Sequence, residues 1–322
     1  MLNYIVKRLL QTIPTLLIIS FLIFSLLYIT PGDPVFLILG ESGDGVSQEM
    51  YDLVREEYGL NDPFLVRYFN YIKGVLRGDL GKSYVTGQDV FSSIMERLPA
   101  TLTLTAWALV FSLLISVPLG TMAALKHNTL LDSIATGLST LGISLPRFWV
   151  GLMLMILFAL KLGWLPSIGM ADIEIDGTWA FIKSILMPAF SLSLGMAATQ
   201  TRMIRSSMID VLDKDYVRFA RSKGIKEKAV IMSHAMRNAM IPVITVIGSE
   251  IGGLLGGAVV TEQIFSWPGI GRLAVNSIGR RDYPMIQGIT LVICFNYLMI
   301  NLLVDILYGF LNPQIRAGMT KQ

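Results

Sequence analysis

Between Leu9 and Tyr28 the chain reads LLQTIPTLLIISFLIFSLLY, a run with no charged residue. About 20 apolar residues in a row are what an α-helix needs to cross roughly 30 Å of hydrocarbon. Lys7 and Arg8 precede the run, as basic residues precede the core of a signal peptide. The run is too long for such a core, however, and it ends at Pro31-Gly-Asp-Pro34 rather than at a small-residue cleavage site. It therefore reads as a retained membrane helix. Five more apolar stretches follow, at 102–125, 134–160, 181–198, 239–260 and 285–307. The one at 181–198 is the least apolar, since it carries Lys183 and Pro188. All six are continuous rather than alternating, which favours helices over barrel strands.

The composition agrees with a bilayer as solvent. Of 322 residues, 53% are hydrophobic and only 15% charged, with a mean hydropathy of +0.61. So few charges could not cover the surface of a soluble domain. A net charge of +3 without any Lys/Arg-rich block gives no reason to expect nucleic acid as a partner. The single Cys294 allows no internal disulfide, and His127 and His234 are far apart, so a structural metal site has almost no ligands to use.

Lys and Arg near the span ends set the expected orientation. Lys7, Arg8 and Lys126 mark one side, and Arg202, Arg205, Lys214, Arg218, Arg221, Lys223, Lys226 and Lys228 crowd the connection after the fourth span. Both termini then lie in the cytoplasm. The opposite side receives the segment 31–97 and the acidic loop Asp172-Ile-Glu-Ile-Asp176, while Arg272, Arg280 and Arg281 run against the rule. The segment 31–97 is too long for a plain loop. It reads as a small external cap with two amphipathic helices. One runs over 47–58, with Ser47 as N-cap and Gly59 as stop; the other runs over 64–76, closed by Gly78.

Gly78-Asp-Leu-Gly-Lys-Ser83 ends like a phosphate-binding loop, but that loop needs glycine five positions before Gly81, and position 76 is leucine. It reads as an external turn. With no zinc-protease or nucleophile-elbow pattern either, no enzymatic activity is expected.

The connection between the fourth and fifth spans carries the most information. Asp213 or Asp215 can cap a short helix and Gly224 can end it. At 3.6 residues per turn Tyr216, Val217, Phe219 and Ala220 share one face, with Lys214, Arg218, Arg221 and Ser222 opposite. Two readings stand. The helix docks into a groove on another protein with aromatic anchors and a basic rim, or it lies along lipid headgroups.

The segment 215–242 resembles the coupling loop of binding-protein-dependent ATP-binding-cassette importer permeases. Where many of them read Glu-Ala-Ala, three residues, then Gly, this chain has Arg218-Phe-Ala220 and Gly224, and a later Ile-x-Leu-Pro element is replaced by His234-Ala-Met-Arg237. Both departures are similar to the peptide-importer branch, which reads much like Asp-Tyr-Val-Arg-x-Ala-Arg-x-Lys-Gly and His-Ala-x-Arg-Asn-Ala. Further matches run along nearly the whole chain. They are Tyr4-Ile-x-Lys-Arg-Leu-Leu-Gln-x-Ile-Pro14, Arg77-Gly-Asp-Leu-Gly81, Phe265-Ser-Trp-Pro-Gly-Ile-Gly271, Arg281-Asp-Tyr-Pro284 and Asn301-Leu-Leu-Val-Asp305. They resemble the first of the two paired permease subunits of that branch.

The resemblance implies an all-α polytopic membrane protein with six transmembrane helices, an external cap after the first, and a cytoplasmic coupling helix. The expected division is an N-terminal helix at 1–30, the cap at 31–98, a five-helix permease core at 99–312 with its coupling loop at 208–238, and a cytoplasmic tail at 313–322. It also implies a multi-pass protein of a bacterial or archaeal plasma (inner) membrane. Its partners would be a second homologous permease, two cytoplasmic ATPases and an external solute-binding protein. ATP and Mg would be bound by the ATPases and no cofactor by this chain. Tyr216, Val217, Arg218, Phe219, Ala220, Arg221 and Gly224 would form the ATPase-coupling element. The expected cargo is di- and oligopeptides, with nickel or a metal chelate as the alternative. An ion-coupled secondary transporter or a membrane receptor or scaffold are readings from other classes; no convincing repeat supports the former.

Two ionisable residues, Arg147 and Glu250, fall near the middle of predicted spans. Such residues face protein or water. They either line the solute path and hold the termini of a zwitterionic peptide, or pair with each other or with backbone carbonyls to tie spans three and five. The branch has a small or polar residue where Arg147 stands, so no role is carried over to it. Asp305 reads as a structural residue near a helix end. Gly252-Gly-Leu-Leu-Gly-Gly257 offers faces of small residues for close helix approach, as plain packing or as a moving gate contact.

Overall fold

The computed structural model describes residues 2–30, 33–39 and 47–311. The expected tail at 313–322 lies outside them. Fourteen α-helical elements occur in chain order: α1 (Leu2–Ile29), α2 (Pro34–Leu39), α3 (Gln48–Glu57), α4 (Phe64–Val75), α5 (Val90–Leu125), α6 (Leu130–Ser144), α7 (Arg147–Leu154), α8 (Thr178–Leu212), α9 (Asp215–Ser222), α10 (Glu227–Ala229), α11 (Met236–Gly257), α12 (Val259–Ile264), α13 (Ile270–Gly279) and α14 (Tyr283–Leu311). A π-helical turn, Met155–Lys161, prolongs α7, and a second, Val230–Ala235, joins α10 to α11.

Five continuous helical stretches among the described residues are long and apolar enough to cross a membrane: Arg8–Ile29, Val90–Leu125, Thr178–Leu212, Glu227–Leu254 and Tyr283–Ile306. The third expected span is not one straight helix. It is split into α6 and α7, bent by 97° at the break. The cause is Pro146. A residue before proline is pushed out of the helical region, and Leu145 is accordingly extended at φ −78°, ψ 126°, with Pro146 then capping α7. Pro188 and Pro242 sit inside α8 and α11 without breaking them.

The bundle is built around α8. Ala100, Leu104 and Ala108 of α5 pack on Phe181, Ile185, Ala189, Leu192 and Met196 of α8, with Leu254 and Trp267 closing the cluster. Small residues on the facing surfaces allow this closeness: a Cβ on Gly120 would meet Ile204 Cβ at 2.8 Å. The glycine-rich α11 approaches α14 in the same way. A Cβ on Gly252 would come within 2.8 Å of the Tyr297 ring, and one on Gly248 within 2.2 Å of Val304.

The connections sort to two ends. At one, Leu80, Val90, Ile270, Met285 and Ile289 form a cluster under the cap. At the other, Ala124, Ile204, Met208, Ala235, Ala239 and Val243 gather beside α9. Arg8 Nη2 lies 3.2 Å from Asp305 Oδ2, so the start of the first helix and the end of the last are joined away from the cap. In the cap, Ser47 Oγ accepts from Met50 N at 3.2 Å as the N-cap of α3. Gly59, at φ +60°, ends that helix. In the 78–83 segment Gly78 and Gly81 stand at positive φ, and Lys82 pairs with Asp89 in an antiparallel bridge.

Arg272, one of the three arginines that oppose the charge rule, donates from Nη1 to Ser266 O at 2.8 Å.

Candidate functional site

The short helix α9 hangs between the end of α8 and the start of α11. Its buried face is Val217 and Ala220, which contact Val230 of the π turn with Val211 and Leu212 of α8 beside them. Burying a valine contributes about 1.5–2 kcal/mol, so the anchor is modest and local. Neither Asp213 nor Asp215 caps the helix, contrary to expectation. Lys214 occupies the N-cap in extended conformation without a side-chain cap bond, and Asp215 falls in the first turn. There its carboxylate faces the positive end of the helix dipole. The other end is closed by a glycine: Gly224 N donates to Arg221 O at 2.9 Å and Ile225 N to Ala220 O at 3.4 Å. That pairing needs a left-handed residue between them, and Gly224 supplies it at φ +75°.

The outer face is divided between residues that are occupied and residues that are spare. Arg221 forms a two-point pair with Glu227, Nη2 to Oε1 at 2.8 Å and Nε to Oε2 at 3.2 Å, clasping the Gly224 turn. Tyr216 Oη accepts from Asn238 Nδ2 of α11 at 2.8 Å. Lys223 Nζ sits 4.6 Å from the Phe219 ring centroid. Phe219 is 60% exposed, Tyr216 43%, and Arg218 is exposed beside them. The four apolar residues of the predicted face thus split. Val217 and Ala220 belong to the fold, while Tyr216 and Phe219 present rings outward.

Within the bundle a chain of hydrogen bonds joins three helices. Ser116 Oγ of α5 donates to Gln200 Oε1 of α8 at 3.0 Å, and Gln200 Nε2 donates to Glu250 Oε2 of α11 at 2.8 Å. Ser116 and Gln200 are fully buried; Glu250 is half-buried. Arg147 is exposed and begins α7 just after the bend, rather than standing in mid-span. Its guanidinium lies against α8 where Gly195 leaves room, a Cβ there being 3.3 Å from Nε. Arg147 and Glu250 do not form an ion pair with each other, nor with any other described residue. Gln200 is the partner that sequence reasoning missed, since nothing in a lone buried glutamine points to a carboxylate fifty residues on.

At the cap end the Phe265–Gly271 motif wraps a buried carboxylate. Glu262 accepts from Thr101 Oγ1 at 2.8 Å and from Arg272 N at 2.9 Å. Trp267, fully buried, donates from Nε1 to Ala100 O at 2.9 Å. Burial pushes the Glu262 carboxyl up, and the backbone donors of Gly271 and Arg272 and the Thr101 hydroxyl only partly offset it. Asp282, from the Arg281–Pro284 motif, accepts from Ser83 Oγ and from Tyr84 N, binding the cap to the start of α14. At the α9 end Asp132, buried in α6, accepts from both Nε and Nη2 of Arg205 and from Asn128 N. These motifs are frameworks: their polar atoms are spent on one another.

Residues 116–317 match the family described as binding-protein-dependent transport system inner membrane component. Residues 1–105 match the N-terminal domain of membrane components of such systems. The glutathione transport system permease protein GsiC of Salmonella choleraesuis is 43% identical over 316 residues, covering 98% of this chain and 99% of that protein. GsiC of Escherichia coli is 41% identical over the same length. An inward-facing structure of the MetNI methionine ABC transporter shares the fold with a TM-score of 0.56 at 14% identity, covering 68% of this chain and 96% of that one. The chain is a member of the binding-protein-dependent transport system inner membrane component family, the multi-pass permease subunit of an ATP-binding-cassette importer.

Proposed function

We propose that this permease imports di- and oligopeptides, that it forms the path with a second homologous permease, and that two cytoplasmic ATPases act on it through α9. The carrying observation is the split of α9: Val217 and Ala220 lock one side of the helix to its own chain, while Phe219 and Tyr216 stand exposed on the other. Exposed aromatic anchors beside exposed basic residues make a docking surface for a groove on a partner protein. Arg218 is the spare rim cation; Arg221 and Gly224 hold the shape of the turn. In this reading the α9 end and both termini face the cytoplasm, and an external solute-binding protein meets the cap. ATP and Mg are bound by the partner ATPases.

The mechanism follows from the attachment of α9. Its buried residues touch both the end of α8 and the π turn leading into α11, so a displacement of α9 by closing ATPases moves both helices together. Gln200 and Glu250 join those same two helices at depth. A change in their crossing alters that contact, as a two-state switch requires. Peptide cargo is supported by the relatives named for glutathione, itself a short peptide.

Exchanging Phe219 for Asp tests the coupling. Co-purification of the ATPases and their stimulation by loaded binding protein should both fall sharply; intact values sink the docking reading. For the path, Arg147→Ser and Glu250→Gln should lower transport while stimulated hydrolysis persists, and parental transport in both would remove these residues from it. Titrating the binding protein with peptides and with nickel chelates separates the two cargo readings.

A further inference from the structure

The cap end holds a cavity of about 360 Å³ between the outer ends of α1 and α14, helix α4 and the 79–84 turn. That volume lies in the range of small-molecule pockets, about 300–1,000 Å³. Tyr71 and Tyr283 both line it, and the hydroxyls of both are buried without a hydrogen-bond partner. Tyr283 is only 8% exposed. A buried hydroxyl left unmatched costs on the order of 1–3 kcal/mol, and the wall of this cavity holds two of them. Burial also pushes the Tyr71 phenol up, which keeps it a neutral donor.

Charges of both signs line the cavity. Arg67 and Lys82 line the cavity with Asp62 and Asp79, and none of the four is in an ion pair among the described residues. Arg67 instead lies over the Tyr28 ring at 5.5 Å, and Asp79 Oδ1 accepts from Gly81 N at 2.8 Å. Two cations balanced by two carboxylates match a ligand carrying both an ammonium and a carboxylate. Asn70 and Gln287, also in the lining, can both donate to and accept from an amide. Anionic lipid headgroups would meet two carboxylates here.

We infer that this cavity is a binding site for short zwitterionic peptides on the permease itself, separate from the Arg147–Glu250 region. The cavity holds cargo at the outer face, with Arg67 on the carboxylate, Asp62 on the ammonium, and Asn70 and Gln287 on the backbone amides. This rests on the peptide-import reading above.

The test is calorimetric titration of the assembled membrane complex in nanodiscs, binding protein omitted, with trialanine and with N-acetyl-trialanine amide. Trialanine should bind at least tenfold more tightly than the blocked peptide. Arg67→Gln and Asp62→Asn should each weaken it about tenfold, and Gln287→Leu by a smaller factor, with melting temperatures unchanged. Equal affinity for both peptides, or no binding of either by the parent complex, overturns the site. So does native mass spectrometry showing a retained phospholipid that Arg67→Gln releases, which assigns the cavity to a headgroup. Loss of binding-protein association in Arg67→Gln with trialanine affinity unchanged also overturns it, in favour of protein docking. If the complete system imports tripeptides while the cavity binds none, only this inference fails; if it imports no peptide at all, the cargo reading fails instead.

Discussion

The α1–α4 contact at the cap end and the short helix α9 at the other end use aromatic residues differently. Where α1 meets α4 rings pack on one another, although Phe69 of the same α4 is left exposed. Phe21 and Phe24 of α1 meet Phe64 and Tyr68 of α4 at centroid distances of 5.2–5.7 Å, edge on, and Trp267 is buried with its indole nitrogen satisfied. At the α9 end Phe219 and Tyr216 remain outside although two apolar residues of the same helix are buried. A single exposed aromatic ring on a soluble surface is ordinary. Two on one turn of an eight-residue helix, which Val217 and Ala220 already anchor, leave ring faces outward although the Tyr216 hydroxyl meets Asn238 and Lys223 lies over Phe219. Outward rings of that kind mark surface kept for another molecule.

The sharpest way to break the comparison is to truncate one ring at each end. Trp267→Ala should cost about 3–5 kcal/mol of stability, as large buried aromatics do, and lower the thermal midpoint in detergent by several degrees. Phe219→Ala should change that midpoint by less than the equivalent of about 0.5 kcal/mol while ATPase co-purification drops at least tenfold. If both variants melt alike, Phe219 is part of the fold and the contrast is lost. A smaller effect sharpens it further. Gly224→Ala forces a side chain into the left-handed region, at roughly 1–2 kcal/mol, and loosens the clasp between Arg221 and Glu227. Hydrogen exchange over 215–222 should rise by about tenfold with the global midpoint little changed. Unchanged exchange would mean the turn does not hold α9 in place.

Much of this was legible because continuous apolar runs and glycine stops are local signals. Ser47, Gly59, Gly78 and Gly224 each act within a few residues of themselves, and each stands where the pattern places it. The bend at Pro146 was harder, since Pro188 and Pro242 carry the same local signal. In α8 and α11 the helix continues through the proline; at Leu145 the extended backbone turns the chain instead. The α9 N-cap was misplaced because capping residues flank Lys214 on both sides, and a lysine at that position carries no capping signal. The division of the α9 face was invisible, because the residue that covers Val217 is Val230, beyond the turn. The Gln200–Glu250 and Ser83–Asp282 contacts join positions fifty and 199 apart, and only the assembled bundle brings such partners together.

The smallest predicted effect concerns pH and the cap. Burial alone would raise the Asp33 carboxyl, but the Tyr51 hydroxyl, Val35 N and the Arg55 guanidinium together hold it below its ordinary value of 3.8. Arg55 Nη1 lies 2.8 Å from Asp33 Oδ2, and both side chains are about a quarter to a third exposed, so solvent screens much of the attraction and the pair is worth about 1 kcal/mol or less. A carboxyl whose folded value is depressed contributes stability that is fully present above its unfolded value and is lost as pH falls through the folded one. The contribution should therefore be constant from neutral pH down to about 4 and fade below that. Comparing the parent with Asp33→Asn by limited proteolysis between α2 and α4 isolates it from every other acid. The parent should resist cleavage better by up to about fivefold at neutral pH, and the two rates should converge at low pH. A difference that persists undiminished well below pH 3 would show that Asp33 acts through packing rather than charge.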